Sequence, residues 1–348
     1  MPPFIAGAAR ADITPPLGMV QAGYASRTAG AVGIHDPLFA AVLYVNDGLT
    51  EAAVVTADLI AVTADGTARI REACAEASGV PAGNILVAFS HTHGGPRTAL
   101  DRSGSGDARK DAYSANVVYQ IAGALSRAKA TAAPACLGWG RQDCGFAMNR
   151  RERRPDGTVV LGVNPEGPTA PYADVLRLDR ADTGQPLAVL LSYACHGTTL
   201  GGDNLLYTAD YIGGAKRLVE HLLPPAVALF AAGCSGDINP HPRGDFEWCE
   251  RHGKALGCAA AQAALEIVEM RDDVRIAVAR HPFALPLEAP PTLEEARDRL
   301  AAAQAAADAK VEAARRAAGG AEVEREKAID WFTAATLRGA GELVAALE

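Results

Sequence analysis

The residues best placed to do chemistry are two histidines one residue apart, His91 and His93, in the stretch Ser90-His91-Thr92-His93-Gly94-Gly95-Pro96. Imidazole is both a metal ligand and a proton carrier near neutral pH, so the pair offers two ligands, or one ligand and one general base. It follows the apolar run Ile85-Leu86-Val87-Ala88-Phe89, which reads as a buried strand breaking into a glycine-rich turn. Residues two apart on a strand share a face, so both rings leave the strand end in one direction. Taken alone, the pair is either such a site or a polar strand end with two solvated histidines.

Two later runs repeat the pattern. Leu187 to Ala194 ends in Cys195-His196-Gly197-Thr198-Thr199, and Val227 to Ala232 ends in Gly233-Cys234-Ser235-Gly236-Asp237-Ile238-Asn239-Pro240-His241. In sheets that mix strands and helices, ligands gather beyond the carboxyl ends of strands, where loops converge and backbone groups are free. Three apolar strands ending this way point to one site. Zinc prefers imidazole and carboxylate oxygen, and a catalytic zinc keeps a position open for water. By placement His91 and His196 are the ligand pair, and His93 can exchange a proton with attacking water or leaving group. Asp237 can hold an imidazole in the tautomer that frees its other nitrogen.

Met148-Asn149-Arg150-Arg151-Glu152-Arg153-Arg154 is either a solvated charge run or a clamp for oxygens, with Arg150 the candidate for stabilising an oxyanion. His35, in Gly33-Ile34-His35-Asp36-Pro37-Leu38, either caps a turn or lines a cleft. A cysteine hydrolase using Cys195 or Cys234 is a further alternative, although neither thiol sits in an activating setting.

The elements that must position these residues are strands at Phe4 to Thr14, Phe39 to Val45 and Ala52 to Ala57, then a helix from Thr63 to Ser78 stopped by Gly79. With Ile85 to Phe89 this makes a strand–helix–strand crossover and a parallel pair. Asp101 to Asp111 reads as a polar surface loop able to act as a lid, followed by a helix to Ala130 and a strand near Cys136 to Gly140. From Thr292 the chain turns to alanine with Glu, Arg and Lys, broken at Gly319-Gly320: a helical hairpin, a structural arm packing Trp331 and Leu337. The fold class is α/β, with mixed sheets flanked by helices.

Composition narrows the partners. The 348 residues are 49% hydrophobic, enough for one large domain or two modest ones. A net charge of -8 with interleaved signs leaves no basic stripe for nucleic acid and no polybasic anchor for a membrane. No apolar run approaches the roughly 20 residues of a membrane span and no secretory leader is evident, so a cytoplasmic location is expected. Seven cysteines without a CxxC pair, several within apolar runs (Cys195, Cys234, Cys258), read as buried thiols in a reducing compartment. Few aromatics and no amphipathic anchor argue against free access to membrane lipid. Oligomeric state is not legible.

The ordered phrases Ala11-Asp12-Ile13-Thr14-Pro15, Gly33-Ile34-His35-Asp36-Pro37-Leu38, His91-Thr92-His93-Gly94-Gly95-Pro96, Asn149-Arg150 and Gly236-Asp237-Ile238-Asn239-Pro240 resemble those of the neutral/alkaline non-lysosomal ceramidase family, across nearly the whole chain. The resemblance implies a zinc-dependent amidohydrolase of layered αββα-like build. Its family reaction splits N-acylsphingosine into sphingosine and a fatty acid, so a small-molecule amide or lipid-like substrate is expected. It implies Zn2+ on His91 and His196, His93 beside the metal, and Arg150 as the site arginine. Asp237 and Asn239 complete the candidate catalytic set, and His35, Gly94 and Gly95 are the candidate substrate contacts. Residues 1–290 then form the catalytic domain and 291–348 a helical hairpin of the same domain. The family's last portion, with its glutamate and tyrosine ligands, is expected to be missing. One departure bears on chemistry: where the family reads GDxSP with a catalytic serine, this chain has Asn239, which supplies no nucleophile. The alternative is therefore a catalytically incomplete member acting as a ligand-binding or scaffold protein.

Overall fold

The strand Phe39–Asn46 sends Ala40, Val42 and Tyr44 into one core and Ala41 and Leu43 into another, and this two-sided burial organises the computed structural model. The structure describes residues 3–24, 27–100, 105–282, 284–286, 289–320, 322–324 and 331–348. The chain divides into two compact units, residues 1–279 and 280–348.

In chain order the first unit contains β1 (Ile5–Asp12), β2 (Gly33–Ile34), β3 (Phe39–Asn46), β4 (Glu51–Ala57), α1 (Ala64–Ser78), β5 (Ile85–Phe89), α2 (Ala108–Ala130), β6 (Ala133–Asp143), β7 (Ala147–Arg153), β8 (Val159–Asn164), β9 (Tyr172–Arg180), β10 (Pro186–Tyr193), β11 (Leu206–Tyr207), α3 (Asp210–Leu222), β12 (Val227–Ala232), β13 (Ile238–Pro240) and α4 (Phe246–Leu265). The main sheet runs β12-β10-β9-β6-β1-β3-β4-β5. At its middle, β1 and β6 share only the pairs Ile5↔Pro134 and Ala6↔Ala133. On either side of that narrow join the two halves pack face to face over Phe4, Leu43, Leu178, Ala188 and Leu229. The outer face of the β3 half is covered by α1 and α2 through Val42, Val55, Ile70, Val117 and Ile121. The outer face of the β10 half is covered by α3 and α4 through Val189, Leu191, Phe230, Ile212 and Leu256. The order helix, sheet, sheet, helix is the mixed α/β architecture expected.

The expected crossover is present, with β4 and β5 parallel on either side of α1. Thr63 caps α1 by accepting from Gly66 N–H, and Gly79 closes it in the left-handed region at φ 76°. β10 and β12 also run parallel, and the runs ending near His196 and Asp237 are largely buried strands. Ile85–Phe89 is not the buried strand expected: it lies at the sheet edge, with Ile85 buried and Leu86 56% exposed.

Other expectations change. The arginine run lies mostly on strand β7, paired with β8 and β13; Arg151, Arg153 and Arg154 are exposed as a solvated charge run would be, and Arg150 alone of the four is partly buried. Helix α2 starts at Ala108, capped by Asp107, so it takes up the end of the expected lid; residues 101–104 lie outside the described residues. Cys195 is buried, whereas Cys234 and Cys258 are exposed.

The second unit contains α5 (Leu293–Ala317), opened by a capping box between Thr292 and Glu295, and α6 (Trp331–Leu347). Arg297, in the first turns of α5, pairs with Glu348 just past α6 at 2.8 Å, so the helices are antiparallel, as the alanine-rich pattern suggests. The Trp331 side chain lies outside the described residues, and Leu337 is half-buried. No helix among the described residues is long and apolar enough to cross a membrane.

Candidate metal centre

The loop leaving β5 is guided by its neighbour: Ser90 N–H donates to Ala57 O and His91 N–H to Leu59 O. His91 then adopts φ 57°, a left-handed conformation uncommon outside glycine. Thr92 forms a parallel bridge with Gly197, and His93 N–H donates to Gly197 O at 3.0 Å. The loops after β5 and β10 are thereby stitched together, and His196 N–H is held by Ile238 O of β13. One ring nitrogen from each of His91, His93 and His196 falls within 4.8 Å of the others.

The tautomers follow from what the rings touch. His91 Nδ1 lies 2.7 Å from Ile60 O, and His196 Nδ1 lies 2.5 Å from Ser235 O. A carbonyl only accepts, so both Nδ1 atoms carry the hydrogen and both Nε2 atoms present lone pairs. Those Nε2 atoms face each other at 3.0 Å. Both nitrogens of His93 are buried without a partner, which native structures rarely tolerate. Burial, reinforced by His91, His196, Arg27 and Arg150, holds the His93 pKa down at about 3. Burial and then Arg150 hold His196 at about 4. Both rings are therefore neutral at pH 7, the form that binds metal. Imidazole nitrogens converging in this way fit a divalent cation.

Arg150 and Asn239 stand beside this cluster and are bonded to each other. Arg150 Nη1 donates to Asn239 Oδ1 at 3.1 Å and Nη2 to Gly236 O at 2.8 Å; Asn239 Oδ1 also accepts from Thr198 Oγ1 at 3.1 Å. Asn239 is thus a positioning group for Arg150. Asp237 does not orient an imidazole: its Oδ2 accepts from Asn149 Nδ2 at 3.1 Å, and the carbonyls of Ile60 and Ser235 take the ring N–H groups instead.

Gly94 and Gly95 are buried packing positions, not a free cradle for substrate. Gly94 O accepts from Gln21 Nε2 and Thr208 N–H, and Gly95 O from Ala22 N–H. His35 is hydrogen-bonded to Asp36 at 2.9 Å and stacked on Phe246. It lines a cavity of about 320 Å³ with Asp210, Arg217, Cys249 and Lys254, in which none of the three site histidines takes part. Burial pushes the Cys195 thiol well above its ordinary range, which removes it as a nucleophile at neutral pH.

Two site residues were missed by sequence reasoning. The buried Arg27 donates to the carbonyls of Ala22, His93, Gly201 and Gly202, gripping three segments at once. Tyr24 sets its ring edge-on to His93 at 5.0 Å, donates to Leu200 O and accepts from Arg243. Neither lies in a motif or on a regular element, so no pattern announces them.

A family model for neutral/alkaline non-lysosomal ceramidase, N-terminal, matches residues 4–314. The chain belongs to that family. Among solved structures, neutral ceramidase from Pseudomonas aeruginosa is similar, with a TM-score of 0.64 at 24% identity over 77% of this chain and 46% of that one. A ceramidase complexed with C2 matches equally, at TM-score 0.64 and 24% identity over 77% of this chain and 45% of that one. At this identity the likeness is one of fold, and the chain spans less than half the length of either structure. No curated protein sequence matches.

Proposed function

We propose that the chain is a zinc-dependent hydrolase that cleaves the amide bond of a lipid-like N-acyl substrate of the ceramide class. The observation that carries this is the pair of bare Nε2 atoms of His91 and His196 facing each other at 3.0 Å beside the unpartnered His93. Family membership and the ceramidase structures it resembles supply the substrate class. Neutral imidazoles suit zinc, which when bound supplies a Lewis acid for a carbonyl and water acidified to a pKa of about 7. His91 and His196 would hold the ion through Nε2, with Ile60 O and Ser235 O fixing the rings from behind. His93, neutral and without a competing hydrogen bond, takes the proton released by water and returns it to the departing amine. Arg150, anchored by Asn239 and Gly236, lends positive charge to the oxygen that becomes negative at the acyl carbon.

Zinc content by atomic emission and fatty-acid release from a short-chain N-acylsphingosine test this. Stoichiometric zinc is expected, lost together with activity in His91→Ala and His196→Ala; zinc near zero that neither substitution changes overturns the proposal. A second reading, a catalytically incomplete member that binds a ligand or serves as a scaffold, rests on Asn239 standing where the family has its serine. Zinc-loaded wild type that is inactive, and that gains hydrolysis on Asn239→Ser, decides for it.

A further inference from the structure

The hairpin of β7 and β8 carries a surface that the site does not use. β8 is the edge of the three-stranded sheet β13-β7-β8, and its Val159, Leu161 and Val163 are 50%, 75% and 44% exposed. Alternate residues of a strand share a face, so these three form one aliphatic stripe. Across the pair, Arg151 stands opposite Leu161 and Arg153 opposite Val159, and directly opposed residues lie on the same face. Both arginines are exposed, and neither is within ion-pair distance of a carboxylate among the described residues. Glu152 points to the other face, where its Oε2 accepts from Val163 N–H at 3.2 Å. Asp156 is tied into the turn by the N–H and hydroxyl of Thr158. The hairpin thus concentrates four arginines against two carboxylates in a chain whose net charge is -8.

An exposed edge strand with a continuous aliphatic face is a liability that proteins avoid unless something covers it. Guanidinium groups bracketing aliphatic side chains match the boundary of an anionic bilayer, where phosphates lie beside acyl chains. A second copy stacked on the aliphatic stripe matches poorly, because face-to-face packing brings the exposed Arg151 and Arg153 of one copy towards those of the other and buries like charges without carboxylates to pair them. The surface is also fixed to the site: Arg150, next to Arg151 on β7, is bonded to Asn239 and Gly236, and Asn149 to Asp237. We propose that this face of the hairpin seats the protein on an anionic phospholipid surface, the amphipathic anchor that the linear sequence does not display. The inference rests on the lipid-like substrate proposed above for its purpose, but not for its evidence. Vesicle binding and zinc-dependent hydrolysis of a soluble short-chain amide can therefore fail separately.

The experiment is cosedimentation of the zinc-loaded full chain with vesicles of phosphatidylcholine alone or mixed with phosphatidylglycerol, at low and high salt. Wild type is expected to partition onto the phosphatidylglycerol vesicles and to be released by salt. The double substitution Arg151→Gln and Arg153→Gln is expected to weaken partition roughly 25-fold, about fivefold per arginine removed. Leu161→Asp, judged on protein whose circular dichroism and zinc content match wild type, is expected to weaken it as well. Absence of partition, or partition that neither variant changes, overturns the proposal. So does a dimer at sedimentation equilibrium that Leu161→Asp dissolves, which assigns the face to a second copy.

Discussion

His91 and His196 present Nε2 to Nε2 at 3.0 Å while each Nδ1 is engaged by a backbone carbonyl. Two acceptors held this close repel unless a cation lies between them, so the folded chain stores an affinity for metal. Zinc added to chelator-treated protein at about 100 times its dissociation constant is expected to stabilise it by about 2.7 kcal/mol. For a unit of this size that raises the melting temperature by about 5–10 °C. Differential scanning fluorimetry checks it, and the shift should vanish in His196→Ala. A wild-type melt indifferent to zinc contradicts the arrangement.

The same two-loop cluster sets a pH dependence for the metal-free protein. His93 and His196 have folded pKa values of about 3 and 4, below the ordinary 6.5. Below 6.5 the unfolded chain binds protons that the folded chain refuses, so stability falls as pH drops from that value and levels off only near the folded values. Each histidine contributes at most about 2 kcal/mol to the loss at about pH 5. Urea midpoints of chelator-treated protein at several pH values measure this, and His93→Phe should flatten the slope between about pH 6.5 and pH 4.

The parts of the site that could be read in the sequence are those carried by continuous apolar runs. Pro186–Tyr193 and Val227–Ala232 are strands because little else buries so many consecutive apolar side chains, while Ile85–Phe89 is an edge strand that its apolar run alone does not tell from a buried one. The parts that could not be read depend on non-local register. The Thr92–Gly197 bridge joins residues more than a hundred positions apart, and the groups that orient the imidazoles are the backbone carbonyls of Ile60 and Ser235, which have no residue signature. Asp237 drew attention because carboxylates commonly hold such rings, yet its oxygen is claimed by Asn149. The two-sheet stack shows only when Ala41 and Leu43 are found facing Leu178 and Leu229 across a core. In one strand's sequence, burial on both faces looks like any apolar run.

Arg27 shows what the missed groups do. Its guanidinium, buried and donating to four carbonyls, joins the loop before β2 to the His93 turn and to the Gly201-Gly202 turn. Arg27→Ala leaves buried carbonyls without donors, at about 1–3 kcal/mol apiece for those that water cannot reach. A total loss of about 3 kcal/mol in urea unfolding is expected, with Arg27→Lys recovering part of it because an ammonium keeps the charge but not the planar fork. Equal stability of Arg27→Ala and wild type would show that the clasp contributes nothing.

Gly94 separates a packing role from a substrate role. A Cβ at this position would lie 2.4 Å from Thr208 O and 2.6 Å from its methyl group, and Thr208 N–H is itself bonded to Gly94 O. The backbone must therefore move, and it carries His93 with it. Overlap of this kind costs about 1–3 kcal/mol, so Gly94→Ala is expected to lose about 2 kcal/mol in urea unfolding. Gly95→Ala is the control, because its Cβ would meet nothing nearer than Asp58 O at 3.2 Å and a few tenths of an ångström of yielding accommodates it; a loss under about 1 kcal/mol is expected. If Gly94 instead lined the substrate path, Gly94→Ala would raise KM for the short-chain amide at unchanged stability. The two effects are read on the same purified variant, and a KM change without a shift in the urea midpoint would return Gly94 to the substrate.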